Sequence, residues 1–116
     1  MTNIIGGFYD DKCYLEISGH ACREYDGEYG MPEETEGNPL VCAAISVLVM
    51  TALEKIKTFE RDGAFICSSV TVESGYALFN FEVREEFSEE VRHCLETLML
   101  GFELLEENYP DYISIA

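Results

Sequence analysis

The apolar positions of this chain keep two different periods. Cys13, Leu15 and Ile17 alternate with Tyr14, Glu16 and Ser18, and Ala77, Phe79, Phe81 and Val83 alternate with Tyr76, Leu78, Asn80 and Glu82. A period of two puts one set of side chains on a single face of a strand, so both runs predict half-buried strands. Each has a partner upstream. Residues 3–9 precede the first across Asp10-Asp11-Lys12, and residues 65–73 precede the second across Ser74-Gly75, which makes two hairpins. Gly6 and Gly7 inside the first strand predict a bulge there.

Two other stretches switch to helical spacing. Asn38-Pro39 offers an N-cap and a proline at the first helical position, and residues 40–59 then run without a charge as far as Glu54. A helix apolar on nearly all sides is expected to be buried on nearly all sides. One sheet cannot cover it, so a second helix or a second subunit has to help. Arg61-Asp62-Gly63 stops it. Ser88-Glu89-Glu90 opens the second helix, with Ser88 as cap and the acids where the helix dipole favours them. Val91, Leu95, Leu98, Phe102 and Leu105 mark its apolar face, Tyr109-Pro110-Asp111-Tyr112 ends it, and Ile113-Ser114-Ile115 reads as an edge strand. The order ββαββα predicts an α+β fold: a two-layer sandwich with an antiparallel-rich sheet and both helices on one face. The length predicts one domain spanning residues 1–116.

Residues 23–37 have no period at all. They carry six acids, one base and three glycines, and predict a long mobile loop. The whole chain has 7 basic against 23 acidic residues, a formal charge of −16. That excludes a nucleic-acid surface, which needs Lys and Arg on phosphates, and suits a basic protein partner. Met1–Ile5 is too short for the apolar core of a signal peptide, and no apolar run is read as long enough for a membrane span. Five cysteines, an odd count, then imply reduced thiols and a cytoplasmic protein.

Two of the remaining residues carry chemistry. Cys42 lies about one turn inside the first helix, and a helix N-terminus favours an anion such as a thiolate. The unpaired amides of that first turn are expected to donate to an oxyanion. Ser46, four residues on, shares the face of Cys42. His20 follows the end of the second strand, next to Gly19, where it can serve as a base for the thiol. Each has a plainer reading: a cysteine in an apolar helix is commonly a small buried hydrophobe, and a histidine after a strand is commonly a loop residue. His20, Cys22 and Cys42 also make a conceivable zinc set, but no closely paired ligands of the Cys-x-x-Cys type accompany them, so neither metal nor other cofactor is expected. Cys13 and Cys67 read as strand packing, Cys94 falls on the apolar side of the last helix, and His93 beside it reads as solvated.

The combination Gly19-His20-Ala21, an acidic glycine-containing loop, and Val41-Cys42-Ala43-Ala44-Ile45-Ser46 resembles the Prp family of ribosomal-processing cysteine proteases, and the element order and closing Tyr109-Pro110-Asp111-Tyr112-Ile113 extend the likeness over the chain. The resemblance implies a homodimer that removes a short N-terminal extension from a large-subunit ribosomal protein, cutting between an apolar, aromatic-ending segment and a basic one. It implies Cys42 as nucleophile, His20 as base, and residues 21–38 as a loop closing over substrate. Gly19, Ala21, Gly37, Asn38 and Ser46 are the expected substrate contacts. Two positions depart from the family pattern. Pro39 stands where an aspartate is usual, three residues before the cysteine, and the stretch between His20 and Cys42 is longer than usual. The alternative is a dimeric, non-catalytic binding module of the same fold that docks a basic ribosomal protein.

Overall fold

The computed structural model describes residues 1–20 and 38–116. The expectation of a mobile loop over residues 23–37 lies outside the described residues. The strands β1 (Thr2–Tyr9) and β2 (Lys12–Ser18) form the first hairpin, helix α1 (Pro39–Arg61) follows, β3 (Phe65–Glu73) and β4 (Tyr76–Val83) form the second hairpin, and helix α2 (Ser88–Asn108) leads to β5 (Ile113–Ile115). A 3-10 turn, Glu85–Phe87, precedes α2. The five strands make one mixed sheet in the order β3-β4-β2-β1-β5, in which β5 runs parallel to β1 and every other pair is antiparallel. The fold is α+β.

The sequence dictates the first hairpin closely. Asp10 and Asp11 both take positive φ, 51° and 62°. Two such central residues give the turn whose twist matches a right-handed pair of strands. The register then runs unbroken from Asn3↔Ser18 to Tyr9↔Lys12, so the bulge expected at Gly6-Gly7 is absent. Gly6 has a different use. A Cβ there would come within 2.8 Å of Met99 Sδ, so the missing side chain lets α2 lie close to β1. The irregularity falls instead on β3, between Phe65 and Cys67. Cys67 is exposed there, which corrects its reading as packing. Edge strands tolerate such breaks because one side of their ladder is unpaired.

One face of the sheet supplies Ile4, Cys13, Leu15, Ile17, Ala77, Phe79, Phe81 and Val83 to a core completed by Val41, Ile45, Ala52 and Phe59 of α1 and by Val91, Leu95 and Phe102 of α2. The alternation in β2 and β4 thus maps onto burial as expected. The helices approach closely where a Cβ on Gly101 would meet Leu48 Cδ2 at 2.9 Å. The start of α2 differs from expectation. Its N-cap position is Phe87, with no side-chain cap bond, because the 3-10 turn runs directly into the helix. The Ser88 hydroxyl donates to Asp11 Oδ1 and so ties the helix start to the first hairpin turn.

Helix α1 is the larger departure. Within one chain it buries only a stripe, and Leu40, Val47 and Met50 are 64%, 62% and 63% exposed. Its partner edge is bare as well: Val70 and Val72 pair with Phe79 and Ala77, share their side of the sheet, and yet are exposed. By length and composition α1 also qualifies as a membrane-spanning helix, with a mean hydropathy of 1.8, which corrects the reading that no run was long enough. Val41, Ile45, Ala52 and Phe59 give the buried stripe of that apolar character a use within the fold.

Candidate functional site

The helix start sets the position of Cys42. Asn38 is extended, and its Oδ1 accepts from the N–H groups of Leu40 and Val41 at 3.0 and 3.3 Å. Pro39 has no N–H to offer. The Cys42 N–H closes the first regular helical bond onto the Asn38 carbonyl at 3.0 Å. The amides of the first turn are therefore all engaged, and the expectation that they would serve an oxyanion does not hold in this arrangement. Cys42 itself is half-buried.

The end of β2 sets the position of His20. Gly19 takes φ 87°, turning the chain out of the strand. Its N–H donates to the Gly75 carbonyl at 2.8 Å, and its own carbonyl accepts from Thr2 Oγ1 at 3.1 Å. His20 is left exposed just beyond the end of β2, with its ring lying over Gly75.

These two residues, distant in sequence, line one cavity of about 390 Å³. Ser46 and Gly19 line it too, together with an apolar wall that includes Ile17, Ile45, Val49 and Leu53, and the turn over residues 73–76 borders it. Asn38 acts on the site through the helix it caps rather than as a lining residue. Ala21 and Gly37 lie outside the described residues. Sequence reading missed Thr2, Glu73, Gly75 and Tyr76, all of which border the cavity. The only local signal was the Ser74-Gly75 turn, taken as a hairpin connection. Tyr76 donates its hydroxyl to Glu16 Oε2 at 2.9 Å, and this bond, with some desolvation and the nearby acids, raises its phenol above the usual value.

A second cavity, of about 350 Å³, opens between the C-terminal half of α1 and the N-terminal half of α2. Its wall is formed by residues such as Leu15, Phe59, Phe79, Phe81 and Leu95, and it also carries Cys13, His93 and Cys94. The chemistry there is poor. Burial, and secondarily the neighbouring Cys94, push the Cys13 thiol up to about 11, so it stays protonated and non-nucleophilic at neutral pH. Among the described residues no three His, Cys, Asp or Glu side chains gather in a way that could hold a metal. Both cavities carry an imidazole, a thiol and a hydroxyl; the His20–Cys42 cavity is distinguished by a thiol that lies at the start of a helix.

The family model of the cysteine protease Prp matches residues 8–114. The chain belongs to this family. Solved structures agree on the fold. The chain is similar to the essential ribosomal processing protease Prp from S. aureus in complex with a covalently linked product peptide, with 19% identity, coverage of 99% of this chain and 97% of that one, and a TM-score of 0.63. The same S. aureus protease in complex with a substrate peptide gives 18% identity, 100% and 98% coverage, and a TM-score of 0.63. The Streptococcus mutans protein SMU.848 gives 22% identity, 99% and 95% coverage, and a TM-score of 0.61. No curated protein matches the chain in a sequence search.

Proposed function

We propose that this protein is a cysteine endopeptidase in which Cys42 is the nucleophile and His20 the general base. The observation that carries the reading is the shared cavity: the fold brings a strand-end histidine and a helix-start cysteine to one cleft, beside Ser46. In the reaction the imidazole takes the thiol proton, and the thiolate sulfur attacks the scissile carbonyl. The peptide C–N bond breaks as the imidazolium returns that proton to the leaving amine. Water then attacks the thioester, with the imidazole again as base, and releases the acid. With the helix-start amides engaged by Asn38, the Ser46 hydroxyl is the oxyanion donor that this reading favours among the described residues.

The substrate is proposed to be a basic large-subunit ribosomal protein carrying a short N-terminal extension. Family membership supports this, as does the formal charge of −16. The protein is proposed to act in the cytoplasm as a homodimer, the exposed side of α1 packing against a second copy. The test is direct. Purified protein is incubated with the ribosomal precursor from its own source, beside Cys42→Ala, Cys42→Ser and His20→Ala. Cleavage by the unaltered protein and by none of the three variants is expected. A variant that still cuts, or an unaltered protein that never does, overturns the reading.

A further inference from the structure

We propose that Gly75, 55 residues along the chain from His20, is the seat of the His20 imidazole and so a positioning residue for the catalytic base; the inference rests on the protease reading given above. The sheet register makes the seat. Ser18 pairs with Tyr76 at the end of the β2–β4 ladder, so Gly19 falls opposite Gly75, and the Gly19 N–H to Gly75 carbonyl bond of 2.8 Å adds one more rung. His20 is the next residue, and its ring folds back over the turn. A Cβ built on Gly75 would stand 2.7 Å from His20 Nε2 and 3.1 Å from both Cδ2 and Cε1. The imidazole therefore occupies the volume that any other residue at position 75 would fill with its own side chain.

Two further contacts make the seat specific to this side chain. Gly19 cannot carry a Cβ either, because one would run into the Met1 carbonyl. The strand end is thus held between the Met1–Thr2 backbone on one side and the β3–β4 turn on the other, with Thr2 Oγ1 bonded to the Gly19 carbonyl. The backbone of Gly19, next to His20, is held from both sides, and the ring has the bare face of Gly75 to rest on. A side chain at 75 would leave the strands in register and move only the free end of the histidine. The fold tolerates that displacement and the chemistry does not: a base displaced by about an ångström from a reacting group costs on the order of a hundredfold in rate.

A control exists in the same molecule. Gly63 has nearly the same backbone conformation, φ 77° against 73° at Gly75, but nothing lies within 4 Å of where its Cβ would be. Gly63→Ala and Gly75→Ala therefore incur similar left-handed strain, and only the second displaces His20. Gly75→Asn serves as a further variant, since asparagine tolerates this backbone while still carrying a Cβ. The measurements are thermal melts, kcat and KM on the ribosomal precursor, and the imidazole signals of His20 in heteronuclear NMR assigned against His20→Ala. Similar melting losses are expected for both alanine variants. Both Gly75 variants should lose kcat by roughly a hundredfold with KM little changed, and should shift the His20 signals, while Gly63→Ala moves neither. Unshifted His20 signals in the Gly75 variants, or an equal loss of kcat in Gly63→Ala, overturn the seat. If the unaltered protein cuts no precursor, the protease reading falls, and the NMR comparison still decides where the imidazole rests.

Discussion

Replacing Asn38 by alanine isolates the helix start on which Cys42 depends. The side chain accepts two backbone N–H bonds, at 3.0 Å from Leu40 and 3.3 Å from Val41, the first of them exposed to solvent. The Leu40 amide can turn to water when the cap is lost, whereas Val41 is fully buried, so the loss is that of a capping arrangement with one open and one covered amide. That places the cost at about 1 kcal/mol. For a domain of this size it corresponds to a fall in melting temperature of roughly 4 °C. Asn38→Gly should cost less than Asn38→Ala, because glycine takes up the cap conformation and lets water approach the helix end. Urea unfolding and thermal melts of the three proteins make the comparison, with an unchanged m-value as the check that only stability has moved. A melt of Asn38→Ala that coincides with the unaltered protein would show that Asn38 does not hold the helix end. A loss above about 3 kcal/mol would show that it holds much more than a cap, since such losses belong to core or network disruption.

Stability should also fall in alkali. The buried Cys13 thiol keeps its proton up to about 11, against 9.0 when unperturbed, so between these values the folded state binds more protons than the unfolded one. The contribution is complete below pH 9 and drains away as the pH rises through 11, by roughly 2–3 kcal/mol in all. Tyr76, also raised, acts in the same direction, so denaturant titrations of the unaltered protein against Cys13→Ala isolate the cysteine; parallel pH dependences would refute the assignment. Met50, 63% exposed on α1, should mark the subunit contact. Met50→Glu is expected to sediment as a folded monomer while the unaltered chain sediments as a dimer; a monomeric unaltered chain at micromolar concentration would dispose of the dimer.

Strand and helix positions were legible because their signals are local. Alternation over Cys13–Ile17 and Ala77–Val83 states which face is buried, and Asn38-Pro39 states where a helix begins; all three agree with the observed elements. What failed depends on a third element arriving. Helix α1 is apolar enough to be buried on nearly all sides, but β3 is the last strand of the sheet, and Val47 and Met50 of α1 and Val70 and Val72 of β3 all stay exposed among the described residues. Ser88 has the composition of a cap, but Asp11, from the opposite end of the sequence, takes its hydroxyl. Gly6 and Gly7 have the composition of a bulge, but Gly6 answers to Met99 across the core. The site divides in the same way. His20 and Cys42 stand out by residue type and local setting. The capture of the first-turn amides by Asn38 is a matter of side-chain conformation, and the meeting of Gly75 with His20 follows from a ladder between β2 and β4 that no local pattern specifies.

The pairing of β1 with β5 has a consequence for timing. Thr2 lies beside Ile113, its N–H donates to the Tyr112 carbonyl, and its hydroxyl supports Gly19 next to His20. During synthesis the chain is made from the other end, so both hairpins and both helices emerge before the strand that clamps Thr2 exists. Closing a loop of that span is the slow, long-range step of such a topology. Until it closes, the base of the cleft lacks one of its two supports. A growing copy would therefore carry its cysteine and histidine without the frame that aligns them until β5 has emerged and paired with β1.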